Sequence, residues 1–381
     1  MKSRQLKSCI ALFIVFSTPL SLQASEKAVV WIGTDTKSES KGIYRAELDL
    51  ASGKLTQPEL ATELIAPGFI ALAEKSNKSL LYTIHHVADS RAGHIAAYEI
   101  LDQGKTLKLI NSIPIGDGRG VHLTLDQTAK YLFTAQYGAS SVAVFPLAKD
   151  GSIQPRSDLK KHSGSGPNKA RQKRAHPHSV YVSPDNQYLM VPDLGIDKVM
   201  IYKINHSEGT LMENGFAACP PGSGPRHMKF HPNGIFAYVL NELLMTISVF
   251  RYDSNQGVMN ELQVIPTLPQ DLWEVPNKAS EIRMDSKGKF LYAANRGHDT
   301  IAAFSVDSNT GKLTFIEREP VRGAYPRNFH LDPTDTWLLA AARDSNTLSV
   351  FKIDQENGNL IYHNQIVNCP APICIEFQKL Q

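Results

Sequence analysis

The chain has no surplus of charge to offer a polyanion. Its 381 residues carry 40 Lys and Arg against 37 Asp and Glu. Three of the bases, Lys2, Arg4 and Lys7, fall in the first 24 residues, which hold no acid, so the remainder balances at 37 against 37. A nucleic-acid binder needs a basic excess to neutralise phosphates, and that class of partner is excluded. Long apolar runs are also missing. The one candidate, Ile10 to Leu22, has 13 residues, short of the roughly 20 that span a bilayer. Helical periodicity is absent over any long stretch, which excludes a solenoid of helix pairs. No Gly-x-Ser-x-Gly elbow occurs, which disfavours a serine hydrolase of that type. Cysteine is scarce, with four in all. What is present, 20% charged and 42% hydrophobic residues, is ordinary globular composition.

Residues 1–24 read as a secretory signal: a basic start, the short apolar run, and Leu22-Gln23-Ala24 as a cleavage site before Ser25. The expected mature chain is 25–381, periplasmic or secreted, with no stable membrane insertion after cleavage. Export places Cys219, Cys369 and Cys374 in an oxidising space. Cys369 and Cys374 are close enough in sequence to close a small loop, and an odd count leaves at least one thiol free. None sits in a motif that marks a nucleophile.

The strongest signal is repetition. KSLLYTI, AKYLFTA, NQYLMVP, GIFAYVL, GKFLYAA and DTWLLAA are each followed by a polar turn and a second run such as SSVAVFPL, DKVMIYKI or DTIAAFSVD. Turns such as KDGSI, SEGTL, NTGKL and ENGNL come next. Alternation with β-branched and aromatic enrichment indicates strands. One equivalent position per unit is Val30, Leu81, Leu132, Leu189, Ala237, Leu291 and Leu338, at spacings of 51, 51, 57, 48, 54 and 47. Seven units of this length, each with several strands, predict an all-β seven-bladed propeller as a single domain over 25–381. The first unit lacks an innermost strand, and the terminal PAPICIEFQKL resembles one. It is expected to complete the first blade and remove the open edge. The long interval holds an insertion, KKHSGSGPNKARQKR.

Register then selects side chains for the channel mouth. Eleven residues before the reference lie Ile70, Val121, His178, Arg226, Ser280 and Arg327, with His122 and Glu281 as neighbours. Five residues after it lie Asp35, His86, Tyr137, Leu194, Glu242, Arg296 and Arg343. His178, Arg226, Glu242 and Arg296 come from three consecutive blades and converge on one cavity, the pattern of an active site. Arg forks suit a carboxylate, a phosphate or a developing oxyanion, and Glu or His moves a proton. The insertion's bases, Arg171 among them, either draw an anion to the mouth or form a solvated loop. The two Gly-Ser-Gly-Pro turns lack the spacing of a phosphate loop. His176-Pro177-His178 suggests zinc, but no third and fourth ligand follow at suitable spacing, so no metal is expected. His85-His86 reads as a polar turn.

These residues resemble a known family. SGSGPNKARQKRAHPHSVYVSPDNQYLMVPDLGIDKVMIYKI, GSGPRHMKFHPNGIFAYVLNELLMTISVF, LYAANRGHDTIAAFSVD and YPRNFHLDPTDTWLLAA are similar to the seven-bladed propeller lactonases. That family includes bacterial 6-phosphogluconolactonases and fungal carboxymuconate lactonising enzymes. The resemblance implies an active site of His178, Arg226, Glu242 and Arg296, the four that register selects, and no cofactor. It implies hydrolysis of a small anionic sugar lactone by a monomer. Glu242 or His178 would activate water, Arg226 and Arg296 would bind the anion and the oxyanion, and Arg327, His122, Tyr137 and Arg171 would shape the pocket. A muconate-type cycloisomerase and a non-catalytic binding propeller are the alternatives.

Overall fold

The computed structural model describes residues 26–36, 39–88, 92–272 and 276–379; the signal read over 1–24 lies outside them. The repeated stretches pair into seven four-stranded sheets arranged as the blades of a propeller. All seven reference positions lie in the second strand of a blade and are fully buried. Those strands are covered on both faces by neighbouring blades. Tyr131–Gln136, Tyr188–Asp193, Phe236–Asn241 and Trp337–Ala342 are accordingly buried at every position, which is why they read as continuous apolar runs. The outermost strands, such as Thr106–Pro114 and Leu360–Asn368, are mostly half-buried or exposed instead.

Each of seven hydrophobic clusters fills the seam between two adjacent blades. The seams also carry a repeated polar lock. Asn111 pairs through its amide with both backbone groups of Ile153 in the next blade, Gln263 with Leu313, and Gln365 with Leu55. The Gly-containing turns dock on the blade before. Gly257 has φ 65°, and a Cβ there would lie 2.2 Å from the Tyr188 ring, so the turn needs glycine both for its conformation and for the close approach.

The ring closes as the sequence predicts. Pro372–Lys379 forms the innermost strand of the first blade, antiparallel to Lys27–Thr34. The closing seam uses the ordinary lock, Gln365 with Leu55, and adds a bond from the Trp337 indole to the Leu50 carbonyl at 2.9 Å. The small loop between Cys369 and Cys374 is not closed. Both are free buried thiols, as is Cys219. Cys369 packs between the seventh and first blades and Cys374 between the first and second.

Ile375 on the closing strand is fully buried. Ile375→Ala should lower unfolding free energy by about 2–5 kcal/mol. Ile361→Ala, at a position 53% exposed, should change it by less than about 0.5 kcal/mol. Urea midpoints of the two variants check this, and equal midpoints would mean that the C-terminal strand carries no load.

Candidate active site

Irregularities in the innermost strands aim the functional side chains. In Pro225–Phe230 the pairing slips between Pro225 and His227, leaving Arg226 as an extra residue. The same slip frees Ser280 and Glu281 in the sixth blade and Arg327 in the seventh. In the first blade it frees Ile373, opposite Gly33 and Thr34. A bulge bends its strand and redirects the side chain it releases. Here the bulges turn Arg226, Arg327 and Ile373 toward the channel at one mouth.

That mouth opens into a cavity of about 590 Å³. His178, Arg226, Glu242, Arg296, Arg327, Tyr137 and Arg171 all line it. Its centre is the buried Glu242 carboxylate. Oε1 accepts from Arg171 Nη2 at 2.9 Å, and Oε2 lies 3.1 Å from Arg226 Nε and 3.2 Å from Arg296 Nη2. Burial alone would raise the Glu242 pKa. The charges of Arg296, Arg226 and Arg171 outweigh it and hold the carboxyl well below its usual range. Arg171 comes from the insertion, which folds inward. Its Nη2 also reaches the Tyr137 hydroxyl at 3.2 Å. The insertion's other bases do not join the cavity. Lys160 pairs with Asp158 and Lys161 with Asp117, and Arg174 bonds the Gly138 carbonyl.

His178 stands beside this cluster, its Nε2 3.8 Å from Glu242 Oε2. Burial, followed by the charge of Arg226, pushes its pKa well below the usual imidazole value. It is therefore a neutral ring next to an ionised carboxylate. His176 does not join it. Its ring stacks on Tyr137 at 4.2 Å and its Nδ1 meets the Tyr137 carbonyl.

All three guanidinium groups around Glu242 retain free donors, Arg171 engaging only its Nη2. Arg226 uses Nε and Nη1, and Arg296 uses Nε and Nη2. Among the described residues Nη2 of Arg226 and Nη1 of Arg296 have no protein partner. The side-chain nitrogens of Arg327, Lys278 and Arg119 have none either, and all three residues line the cavity. Burial and the neighbouring Arg296 lower the Arg327 pKa to about 10. These are cations poised for an anion from outside.

His122 is a correction. Strand alternation turns Val121 to this cavity and His122 away from it. Its ring packs on Phe69 at 4.5 Å, Tyr181 at 5.0 Å and His227 at 5.3 Å. It lines a second cavity of about 420 Å³, together with Glu281. Phe69 lines both cavities. Arg343, also picked by register, pairs with Asp344 and covers the Tyr325 ring.

Sequence reading missed Arg119, Lys278, Tyr325 and Phe69. The first three lie two residues before Val121, Ser280 and Arg327. A second step of strand period was the available signal. Phe69 had none.

Four imidazoles, the buried His122, His178 and His227 and the half-buried His330, are held neutral, each chiefly by desolvation. Their folded pKa values lie below the unfolded ones, so their contribution is complete above pH 6.5 and is lost as pH falls. The slope is up to about 1.4 kcal/mol per pH unit for each ring. Urea midpoints should drop steeply between pH 6.5 and 5; a midpoint flat to pH 5 would contradict four neutral rings with lowered pKa values.

Comparison with known proteins agrees with this geometry. Residues 29–377 match the family described as "Lactonase, 7-bladed beta-propeller". A 6-phosphogluconolactonase of Bacillus subtilis is 37% identical over 351 residues, covering 92% of this chain and 98% of that protein. The periplasmic gluconolactonase structure from Pseudomonas aeruginosa superposes with a TM-score of 0.86 at 31% identity, covering 93% of this chain and 100% of that one. A Lactobacillus plantarum protein gives the same TM-score at 32% identity and the same coverage. The chain belongs to the seven-bladed β-propeller lactonase family.

Proposed function

We propose that this protein hydrolyses an anionic sugar lactone, with 6-phosphogluconolactone as the leading substrate, and that it does so outside the cytoplasm. One observation carries the reading. A neutral imidazole stands against an ionised glutamate in a cavity with free guanidinium donors and three unpartnered cations.

His178 takes a proton from water as the water oxygen bonds to the lactone carbonyl carbon. A carboxylate held as low as Glu242 is a poor proton acceptor, and its role is to stabilise the imidazolium that forms 3.8 Å away. Nη2 of Arg226 and Nη1 of Arg296 face the tetrahedral oxyanion. Collapse breaks the ring C–O bond, and the imidazolium returns its proton to the departing alkoxide. The distal anion of the substrate goes to Arg327 and Lys278, because Arg171, Arg226 and Arg296 are already committed to Glu242. The name of the Bacillus relative supports a phosphorylated lactone, and that of the Pseudomonas structure a plain one.

The chain 25–381 should release acid from fresh 6-phosphogluconolactone well above the spontaneous rate. His178→Ala should cut kcat by about 10²–10⁴. No turnover of either gluconolactone or its 6-phosphate would exclude this function. Arg327→Ala should raise KM for the phosphorylated lactone by about 10–100-fold, the loss of one charged hydrogen bond. It should leave the unphosphorylated lactone nearly unchanged; an equal effect on both would remove Arg327 from phosphate recognition.

A further inference from the structure

The proposed reaction makes no use of His227, although this ring touches the centre of the site from below. The bulge at Arg226 leaves both Arg226 and His227 directed at the channel. His227 is fully buried. Its Nε2 lies 3.1 Å from Arg226 Nη1, and its Nδ1 lies 3.1 Å from Glu281 Oε1. Glu281 is itself fixed, since Oε1 accepts from the Ile282 amide at 3.0 Å and Oε2 from Asn328 Nδ2 at 2.5 Å. The ring is wedged edge-on against Phe69, His122 and His178 at 5.3–5.5 Å.

Chemistry fixes the proton. A guanidinium has donors only, so Nε2 must present its lone pair to Arg226. Nδ1 must then carry the hydrogen, and it donates to the Glu281 carboxylate. Glu281 thus selects the tautomer that can accept from Arg226. Nη1 is shared between the His227 ring and the Ser280 carbonyl, while Nε is held by Glu242. These three anchors come from two blades and set the guanidinium plane, leaving Nη2 for the cavity.

We propose that His227, locked by Glu281 and Asn328, is a positioning residue that fixes Arg226 for the oxyanion. The catalytic consequence rests on the lactonase reading; the hydrogen-bond chain does not. It joins the reacting mouth to the floor that separates the two cavities, through three consecutive blades.

Two measurements on the chain 25–381 test it. ¹⁵N NMR at pH 7, with the His227 signal assigned by its loss in His227→Gln, should show a protonated Nδ1 and an unprotonated Nε2. The opposite tautomer or an imidazolium would overturn the proposal. The second compares two amides in 6-phosphogluconolactone hydrolysis. His227→Gln sets its carbonyl oxygen near the place of Nε2 and keeps an acceptor for Arg226, whereas His227→Asn reaches only toward Glu281. The Asn variant should lose kcat by about 10–100-fold with KM within about threefold, the signature of an interaction made in the transition state. The Gln variant should stay within about fivefold of wild type at a comparable melting temperature. Equal kcat losses at equal stability would reduce His227 to a structural ring and overturn the proposal. If the wild-type chain turns over no lactone, the functional reading falls, and the tautomer alone decides whether His227 holds Arg226.

Discussion

A buried carboxylate without partners would cost several kcal/mol to desolvate, and the site depends on how Glu242 avoids that. Three guanidinium groups surround it, one from the insertion before the fourth blade, one from the fifth and one from the sixth. No local segment can assemble such a cluster. It requires the blades to sit at fixed angles about one axis, and hence a closed ring. The seams that fix those angles are apolar clusters reinforced by a repeated side-chain amide lock. The C-terminal strand lets the first blade join the ring on the same terms as the others.

The cluster also divides labour among the cations. Arg226 and Arg296, while neutralising Glu242, each keep one terminal nitrogen without a protein partner in the cavity lining, where a developing negative charge would be met by donors already in place. Such preorganisation is effective because the groups need not reorganise as the charge appears. The cations without partners, Arg327, Lys278 and Arg119, stand apart from this arrangement and keep full capacity for a ligand. The wall from the first three blades mixes Phe69, Ile84, Val121 and Ile373 with Asp35, His86 and Arg119.

The propeller channel is not an open pore. Phe69, His122 and His227 meet at mid-height and divide it into two cavities. Below them Glu281, Arg283 and Glu376 continue the polar file toward the other mouth, with Arg283 Nη2 3.3 Å from Glu376 Oε1. Through His227 this floor is hydrogen-bonded to the Arg226 guanidinium of the upper cavity.

Much of this was legible in the chain. Seven reference residues at near-constant spacing specified the blade count, because each unit must bury the same second strand between two neighbours. The terminal PAPICIEFQKL specified the closure for the same reason. Counting along the repeats located His178, Arg226, Glu242, Arg296 and Arg327, since equivalent positions of a ring face one axis, and it located Tyr137 likewise. Arg171 stood out only as one base among several in the insertion. Other features were decided by tertiary structure alone. His122 was placed at the mouth because periodicity gives distance along a strand but not the facing of its next residue. Arg171 was not separable from Lys160 and Lys161, since which base meets Glu242 depends on how the insertion folds. The joining of Arg226 to His227, and of His227 to Glu281, depends on bulges that no spacing reveals. A repeat encodes what recurs in every blade, whereas the site is made of what differs between blades, and those differences acquire meaning only where the ring brings them within hydrogen-bond distance.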